Sequence, residues 1–159
     1  MSAAVHSAGI LVFRRSPSGL EVLIVHPGGP FWARRDEGIW SVPKGLFDPA
    51  IERPLDAANR EFTEETGFTV RDPFLDLGTL RQRSGKVIHA FAAKGDFDAS
   101  TSVSNTFQME WPKGSGRMRE FLEVDRAEWF AIPEARAKLL PGQAGFLDRL
   151  VEAVGSDGG

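Results

Sequence analysis

The chain has 159 residues, the size of a single domain, and 19 Lys+Arg against 22 Asp+Glu leave a net charge of −3. That balance disfavours a broad nucleic-acid-binding surface, which needs excess basic charge, but it leaves room for a local basic pocket. Cysteine is absent, which excludes disulfides, thiolate-held zinc and a cysteine nucleophile, and no apolar run approaches the ~20 residues that cross a bilayer.

The first residues place a short apolar stretch before Arg14 and Arg15, the reverse of a secretory signal, so a soluble cytoplasmic protein with no membrane partner is expected. Ala8–Phe13 and Glu21–Val25 read as β-strands of a hairpin whose loop carries Pro17 and Gly19. A Gly- and Pro-rich loop, His26–Gly38, follows with Phe31, Trp32, Arg34 and Arg35. Ile39–Val42 reads as a short strand stopped by Pro43.

Pro54 to Thr66 carries the clearest helical pattern, with Leu55, Ala58 and Phe62 as its apolar stripe. Pro54 suits the first helical position and Gly67 the residue just past the end. Phe74–Arg81 and Lys86–Ala93 read as strands around a turn at Ser84–Gly85. Phe107–Met118 reads as irregular, either closing over substrate or covering a sheet edge. Phe121–Phe130 contains another strand, and Pro133–Leu139 and Gln143–Val154 read as helices. Strands and helices mix without strict βαβ alternation, which predicts an α/β (α+β) domain with a mixed sheet and helices packed on it, spanning residues 1–154, with a flexible tail at 155–159.

Chemistry concentrates in Gly45–Phe68. Glu61, Glu64 and Glu65 fall three and four apart, within about a 100° arc of one helix. Like charges so spaced repel by a few tenths of a kcal/mol per pair, and a bound divalent cation reverses the sign. Oxygen donors on one rigid face suit a hard ion, Mg²⁺ or Mn²⁺, that keeps waters and shares phosphate oxygens. A solvated Glu-rich face is the alternative for these carboxylates taken alone.

The wider segment resembles the Nudix box, Gly-x5-Glu-x7-Arg-Glu-U-x-Glu-Glu-x-Gly-U, with U a bulky apolar residue. Glu52, Arg60, Glu61, Phe62, Glu64, Glu65, Gly67 and Phe68 match in register, and Trp40–Gly45 and Glu128–Ala135 are also similar to that family. Six residues rather than five separate Gly45 from Glu52, an insertion placed within Phe47–Ile51, where a loop absorbs it at small cost. Arg53 replaces the small capping residue often found before the proline.

The resemblance implies a Nudix-type α/β/α sandwich and a pyrophosphohydrolase. Such an enzyme hydrolyses a nucleoside diphosphate linked to another group, by water attack on phosphorus with Mg²⁺ or Mn²⁺ as cofactor. By the same resemblance Glu61, Glu64, Glu65 and the Gly45 carbonyl become metal ligands. Arg60 orients the carboxylates, and Glu52 supports them from behind or through water. Glu61 or Glu64 would take the proton of the attacking water, with Glu110 and Glu120 as candidates outside the box.

On the substrate side, Lys44 is a phosphate contact or one more solvated lysine, and Arg34 and Arg35 are phosphate partners. Trp32 or Phe31 stacks on a base, unless the aromatics of this loop plug the core. Lys86 and His89 sit three apart on a strand, so only one of them faces the site, while His6 is structural or exposed. The expected partner is a small-molecule nucleotide, a nucleoside triphosphate or a dinucleoside polyphosphate. A nucleotide-sensing module without catalysis and an RNA 5′-end pyrophosphohydrolase are the alternatives, and the charge balance argues against extended RNA contacts.

Overall fold

The computed structural model describes residues 4–155, so the expected tail, apart from Gly155, lies outside the described residues. In chain order the elements are β1 (His6–Ser16), β2 (Gly19–Pro27), β3 (Lys44–Leu46), α1 (Pro54–Thr66), β4 (Leu75–Arg81) and β5 (Val87–Lys94). They continue with β6 (Thr106–Glu110), β7 (Met118–Leu122), β8 (Val124–Ala131), α2 (Ile132–Lys138) and α3 (Gly145–Val154). Short 3₁₀ turns occupy Ala99–Thr101 and Pro141–Gln143.

The main sheet has the order β4-β5-β1-β2-β8, with β3 also paired to β1. β1 and β5 run parallel, while β1 with β2, β1 with β3, β2 with β8 and β4 with β5 are antiparallel, so the sheet is mixed as expected. β1 is central and covered on both faces, which is why Ser7–Phe13 is an unbroken buried run rather than an alternating one. Its even-numbered residues Ala8, Ile10 and Val12 pack with Ala57, Ala58 and Phe62 of α1. Its odd-numbered Leu11 and Phe13 pack with Leu139, Phe146, Leu147 and Leu150 on the other face. Helices therefore flank the sheet on both sides. Among the described residues, no helix is long and apolar enough to cross a membrane.

α1 begins and ends where the local chemistry dictates. Pro54 occupies the first turn and Gly67 closes the helix at φ 78°, its N–H bonded to Thr63 O at 2.8 Å. Arg53 makes no side-chain cap, so the first turn lacks the bond that Ser, Thr or Asp would supply. Fully buried Ala57 and Ala58 let the helix settle close to β1, and Phe62 fills the space beyond them. The residue inserted before Glu52 is absorbed by a turn on Asp48, whose O accepts from Ile51 N and Glu52 N at 3.1 and 3.0 Å.

Two segments depart from the sequence reading. Ile39–Val42 is not a strand but two isolated bridges, Val25 with Ser41 and Trp40 with Leu139, and regular pairing resumes only at Lys44. Pro43 has no N–H, yet its carbonyl accepts from Ile10 N at 3.1 Å, and Gly9 permits the approach because a Cβ there would lie 2.4 Å from that oxygen. Phe107–Met118 is irregular only in part: Phe107–Glu110 and Met118 belong to a second, two-stranded sheet, with β6 pairing β7 from Thr106↔Leu122 to Glu110↔Met118. Only Trp111–Arg117 forms the turn, and its Pro and Gly residues obscured the strands on either side.

Candidate active site

β3 lies against α1 because Gly45, opposite Ala8 in the register, points at the helix. A Cβ on Gly45 would stand 2.0 Å from the Glu61 carboxylate, so only glycine lets the strand carry that side chain at this depth. One residue earlier, Lys44 N donates to Glu65 Oε1 at 3.1 Å. The strand thus touches two of the three box carboxylates, one through space left by a missing side chain and one through a backbone hydrogen bond.

Arg60 organises the outer side. It donates through Nε and Nη2 to Glu52 at 3.0 and 2.8 Å, a two-pronged bond, and through Nη1 to Glu61 Oε1 at 2.9 Å. The same Nη1 stands 3.6 Å from Glu64. These bonds hold the Glu52 carboxyl below its usual range and the Arg60 guanidinium above its own. The inner carboxylates behave oppositely. Burial raises Glu61, the neighbouring Glu64 charge raises it further, and Arg60 opposes both. Burial pushes Glu65 up to about 8, despite the Lys44 N–H and the Lys44 charge beside it. Lys44 is itself lowered, first by burial and then by Lys86.

The donors fit a hard divalent ion in kind, since all are carboxylate or carbonyl oxygens and the inner ones carry negative charge that burial opposes. Gly45 leaves the room beside Glu61 that a Cβ would fill. Among the described residues, no three acidic or histidine side chains close on one point, and Arg60 occupies the gap between the outer carboxylates.

Beyond Lys44 opens a cavity of about 810 Å³ lined by Arg83, Ser84 and Lys86 from the β4–β5 turn and by Leu140–Gly142. Arg83 and Lys86 make no ion pair among the described residues, whereas Lys44 stands within reach of the Glu65 and Glu61 charges. The wall is fixed by buried Gln143, whose Oε1 accepts from Val42 N at 2.9 Å and whose Nε2 donates to Ser41 Oγ at 3.0 Å.

The other expected site residues separate into two groups. Lys44 and Gly45 stand with Glu52, Arg60, Glu61, Glu64 and Glu65. His89 does not: β5 flanks β1 on the side away from β3, and His89 there stacks on Phe91 at 4.5 Å and meets Asp76 through Nε2 at 2.7 Å. Trp32, Arg34 and Arg35 lie on the exposed loop after β2, with the Arg35 guanidinium 5.7 Å over the Trp32 ring. Glu110 and Glu120 sit on the β6–β7 hairpin, where Glu110 binds Gly114 N and Gly116 N at 2.9 and 3.0 Å and so serves the turn.

Sequence reading missed Arg83, Gln143 and Glu123, whose charge adds to the pressure on Glu65. No local pattern marks them. Buried His26 was expected only as part of its loop. In the structure its Nδ1 meets Asp125 at 2.8 Å and its Nε2 meets Arg35 O at 2.7 Å, so it ties that loop to β8.

Comparisons with known proteins agree with this architecture. The NUDIX domain of Shewanella oneidensis NrtR, solved with ADP ribose, superposes with a TM-score of 0.64 at 17% identity, over 97% of this chain and 90% of that one. A C. elegans Ap4A hydrolase binary complex superposes with a TM-score of 0.60 at 20% identity, over 93% and 97%. At these identities the likeness is one of fold. An uncharacterized 17.7 kDa protein of Enterobacteria phage T4, from the e-segB intergenic region, is 43% identical over 54 residues, which are 33% of this chain and about a third (36%) of that protein. The NUDIX domain model matches residues 5–150, nearly the whole described chain, and the protein therefore belongs to the NUDIX family.

Proposed function

We propose that this chain is a divalent-metal-dependent hydrolase of the pyrophosphate bond in a nucleoside diphosphate linked to another group, with a nucleoside triphosphate or dinucleoside polyphosphate as substrate. The observation that carries this reading is the junction at Lys44–Gly45. One residue's N–H and the next residue's missing side chain seat Glu65 and Glu61 against β3, and Lys44, whose charge reaches both carboxylates, also lines a cavity with Arg83 and Lys86. Carboxylates for a metal are thus linked through Lys44 to cations suited to phosphates. ADP ribose, bound in one of the neighbouring structures named above, and Ap4A, from which the other enzyme takes its name, share the chemistry of a phosphate chain on a nucleoside.

Glu61, Glu64, Glu65 and the Gly45 carbonyl would hold Mg²⁺ or Mn²⁺, which when bound polarises phosphoryl oxygens and lowers the pKa of coordinated water. Lys44, Arg83 and Lys86 bind the phosphate oxygens and hold the bridge in place. Arg60 positions Glu52 and Glu61 by direct hydrogen bonds and keeps Glu64 within reach. Glu61, raised by burial and by Glu64, is suited to accept the proton of the attacking water.

Glu64→Gln tests this. The Glu64 side chain touches only its helix neighbours, Arg60 at 3.6 Å and the Glu61 carboxyl, so the variant should fold with an unchanged far-UV spectrum while Mg²⁺-dependent release of phosphate or nucleotide falls by at least about 100-fold. Wild-type turnover in the variant refutes the assignment. Tight nucleotide binding by the wild type, without product over hours in Mg²⁺ or Mn²⁺, would make it a nucleotide-sensing module instead.

A further inference from the structure

On the sheet face away from the carboxylate helix, the strand registers gather a second set of polar side chains. Gly45 points at α1, so Lys44, one residue earlier, points to the opposite face, where its partner in the register is Gly9. A Cβ on Gly9 would lie 2.7 Å from the Lys44 Cβ, so the missing side chain clears the place where the lysine stem leaves the sheet. Ile88 of β5 packs in the core on that same face with Leu11, and Lys86, two residues earlier, extends its row. Ser7 lies between the two rows. It pairs with Leu46 of β3, two residues from Lys44, and with Ile88 of β5.

Ser7 is 1% exposed, and among the described residues its Oγ alone is a buried side-chain polar atom without a hydrogen-bond partner. Such a hydroxyl is costly to leave unsatisfied, and a polar ligand supplies the missing bond. The cavity of about 810 Å³ beyond Lys44 has matching chemistry. Gln82 and Ser84 stand beside Arg83 and Lys86, and none of the residues that line it is acidic or aromatic. The Lys86 charge opposes that of Lys44. Cations so gathered repel, and a bound anion reverses the sign, as a metal ion does for the box carboxylates. Without a ring to stack on, the cavity offers a nucleobase little, whereas its ammonium, guanidinium and hydroxyl donors suit phosphoryl oxygens.

Going beyond the reading above, and sharing with it only the pairing of these cations with phosphate oxygens, we propose that Lys44, Arg83, Lys86 and the Ser7 hydroxyl form a site for a free phosphate or pyrophosphate anion, filled without substrate or metal. Lys44 links that site to the carboxylate helix: it lines the cavity, its N–H holds Glu65, and its charge reaches Glu65 and Glu61. An anion that neutralises Lys44 leaves those carboxylates with less opposing charge. They should then hold a divalent cation more tightly, and by reciprocity the cation should tighten the anion.

The test uses the full chain in EDTA, where no metal recruits the anion, and calorimetry with orthophosphate and with pyrophosphate. Binding of either supports the site, and the tighter of the two identifies its occupant. R83A, K86A and S7A should each weaken it about 10-fold, since each removes a hydrogen bond to a charged group. S7A separates a ligand contact from a structural one. It deletes a hydroxyl that has no partner in the protein, so Tm in phosphate-free buffer should hold or rise while the affinity falls. No heat with either anion, or binding that all three variants leave unchanged, overturns the proposal. So does hexaglutamate bound as tightly as pyrophosphate. A Mn²⁺ titration followed by electron paramagnetic resonance should show the ion held about 5-fold tighter in saturating anion, with no such gain in K86A. An unchanged Mn²⁺ affinity, or an equal gain in both proteins, overturns the coupling. A wild type that binds the anion but hydrolyses no nucleotide defeats the enzymatic reading alone, since anion binding is read without turnover.

Discussion

Glu65 makes the metal-free protein sensitive to pH in a way that isolates the site. Its carboxyl is pushed from 4.5 to about 8, chiefly by burial. Below about pH 4.5 the group is protonated in both folded and unfolded chains. Between that point and about 8 the folded chain keeps a proton that the unfolded chain has lost, so stability falls as pH rises and levels off above 8. At about 1.4 kcal/mol per pH unit the whole window caps the effect at about 5 kcal/mol. Because the side chain retains some contact with solvent, we take about 2 kcal/mol. Glu61 is raised by the same cause and adds a smaller slope of the same sign, whereas Glu52 and Asp36 are lowered and act only at acid pH.

For a chain of this length 2 kcal/mol corresponds to about 4–8 °C in Tm. Glu65→Gln preserves an acceptor for Lys44 N and removes the titrating group. In EDTA, the variant should match the wild type near pH 5 and exceed it by about 4–8 °C at pH 8.5, by differential scanning calorimetry. Saturating Mg²⁺ should then reverse the order at pH 8.5: at 100 times Kd, a bound ion stabilises by about 2.7 kcal/mol, which the variant should largely forgo. Parallel Tm-versus-pH curves for the two proteins in EDTA would refute the burial argument, and equal gains in Mg²⁺ would remove Glu65 from the ligand set.

Two further perturbations probe what holds the site. Gly45→Ala puts a methyl 2.0 Å from the Glu61 carboxylate and should force that side chain outward; hydrolysis titrated with Mg²⁺ should show the metal requirement raised about 10–100-fold with Tm nearly unchanged. An unchanged Mg²⁺ midpoint would show that the contact carries no function. His26→Phe keeps the ring but leaves Arg35 O and Asp125 without their partner, at a cost of about 2–3 kcal/mol by urea denaturation. Under limited proteolysis, cleavage after Arg34 or Arg35 should accelerate, and unchanged cleavage there would mean the loop is held by other contacts.

Much of this protein was legible in the residues themselves. α1 is a local object: Pro54 sets its start, Gly67 its end, and Ala58 and Phe62 its buried face, all within 14 residues. Because Glu61, Glu64 and Glu65 sit on one rigid helix, their spacing alone put them on a common side. The mixed sheet with helices on both faces followed from strands and helices that do not alternate strictly.

What the chain order could not reveal depends on contacts across long separations. Gln143 fixes Val42 from 101 residues away, and His26 meets Asp125 from 99. The cations Lys44, Arg83 and Lys86 become one cavity only after β1 brings β3 and β5 together in a single sheet. The hairpin of β6 and β7 was hidden because its pairing is with itself across a Gly-rich turn, and its attachment to Glu64 O uses backbone atoms that no side-chain pattern announces. Local propensity and spacing therefore determined the carboxylate helix, whereas packing and backbone hydrogen bonds between distant segments decided what faces it.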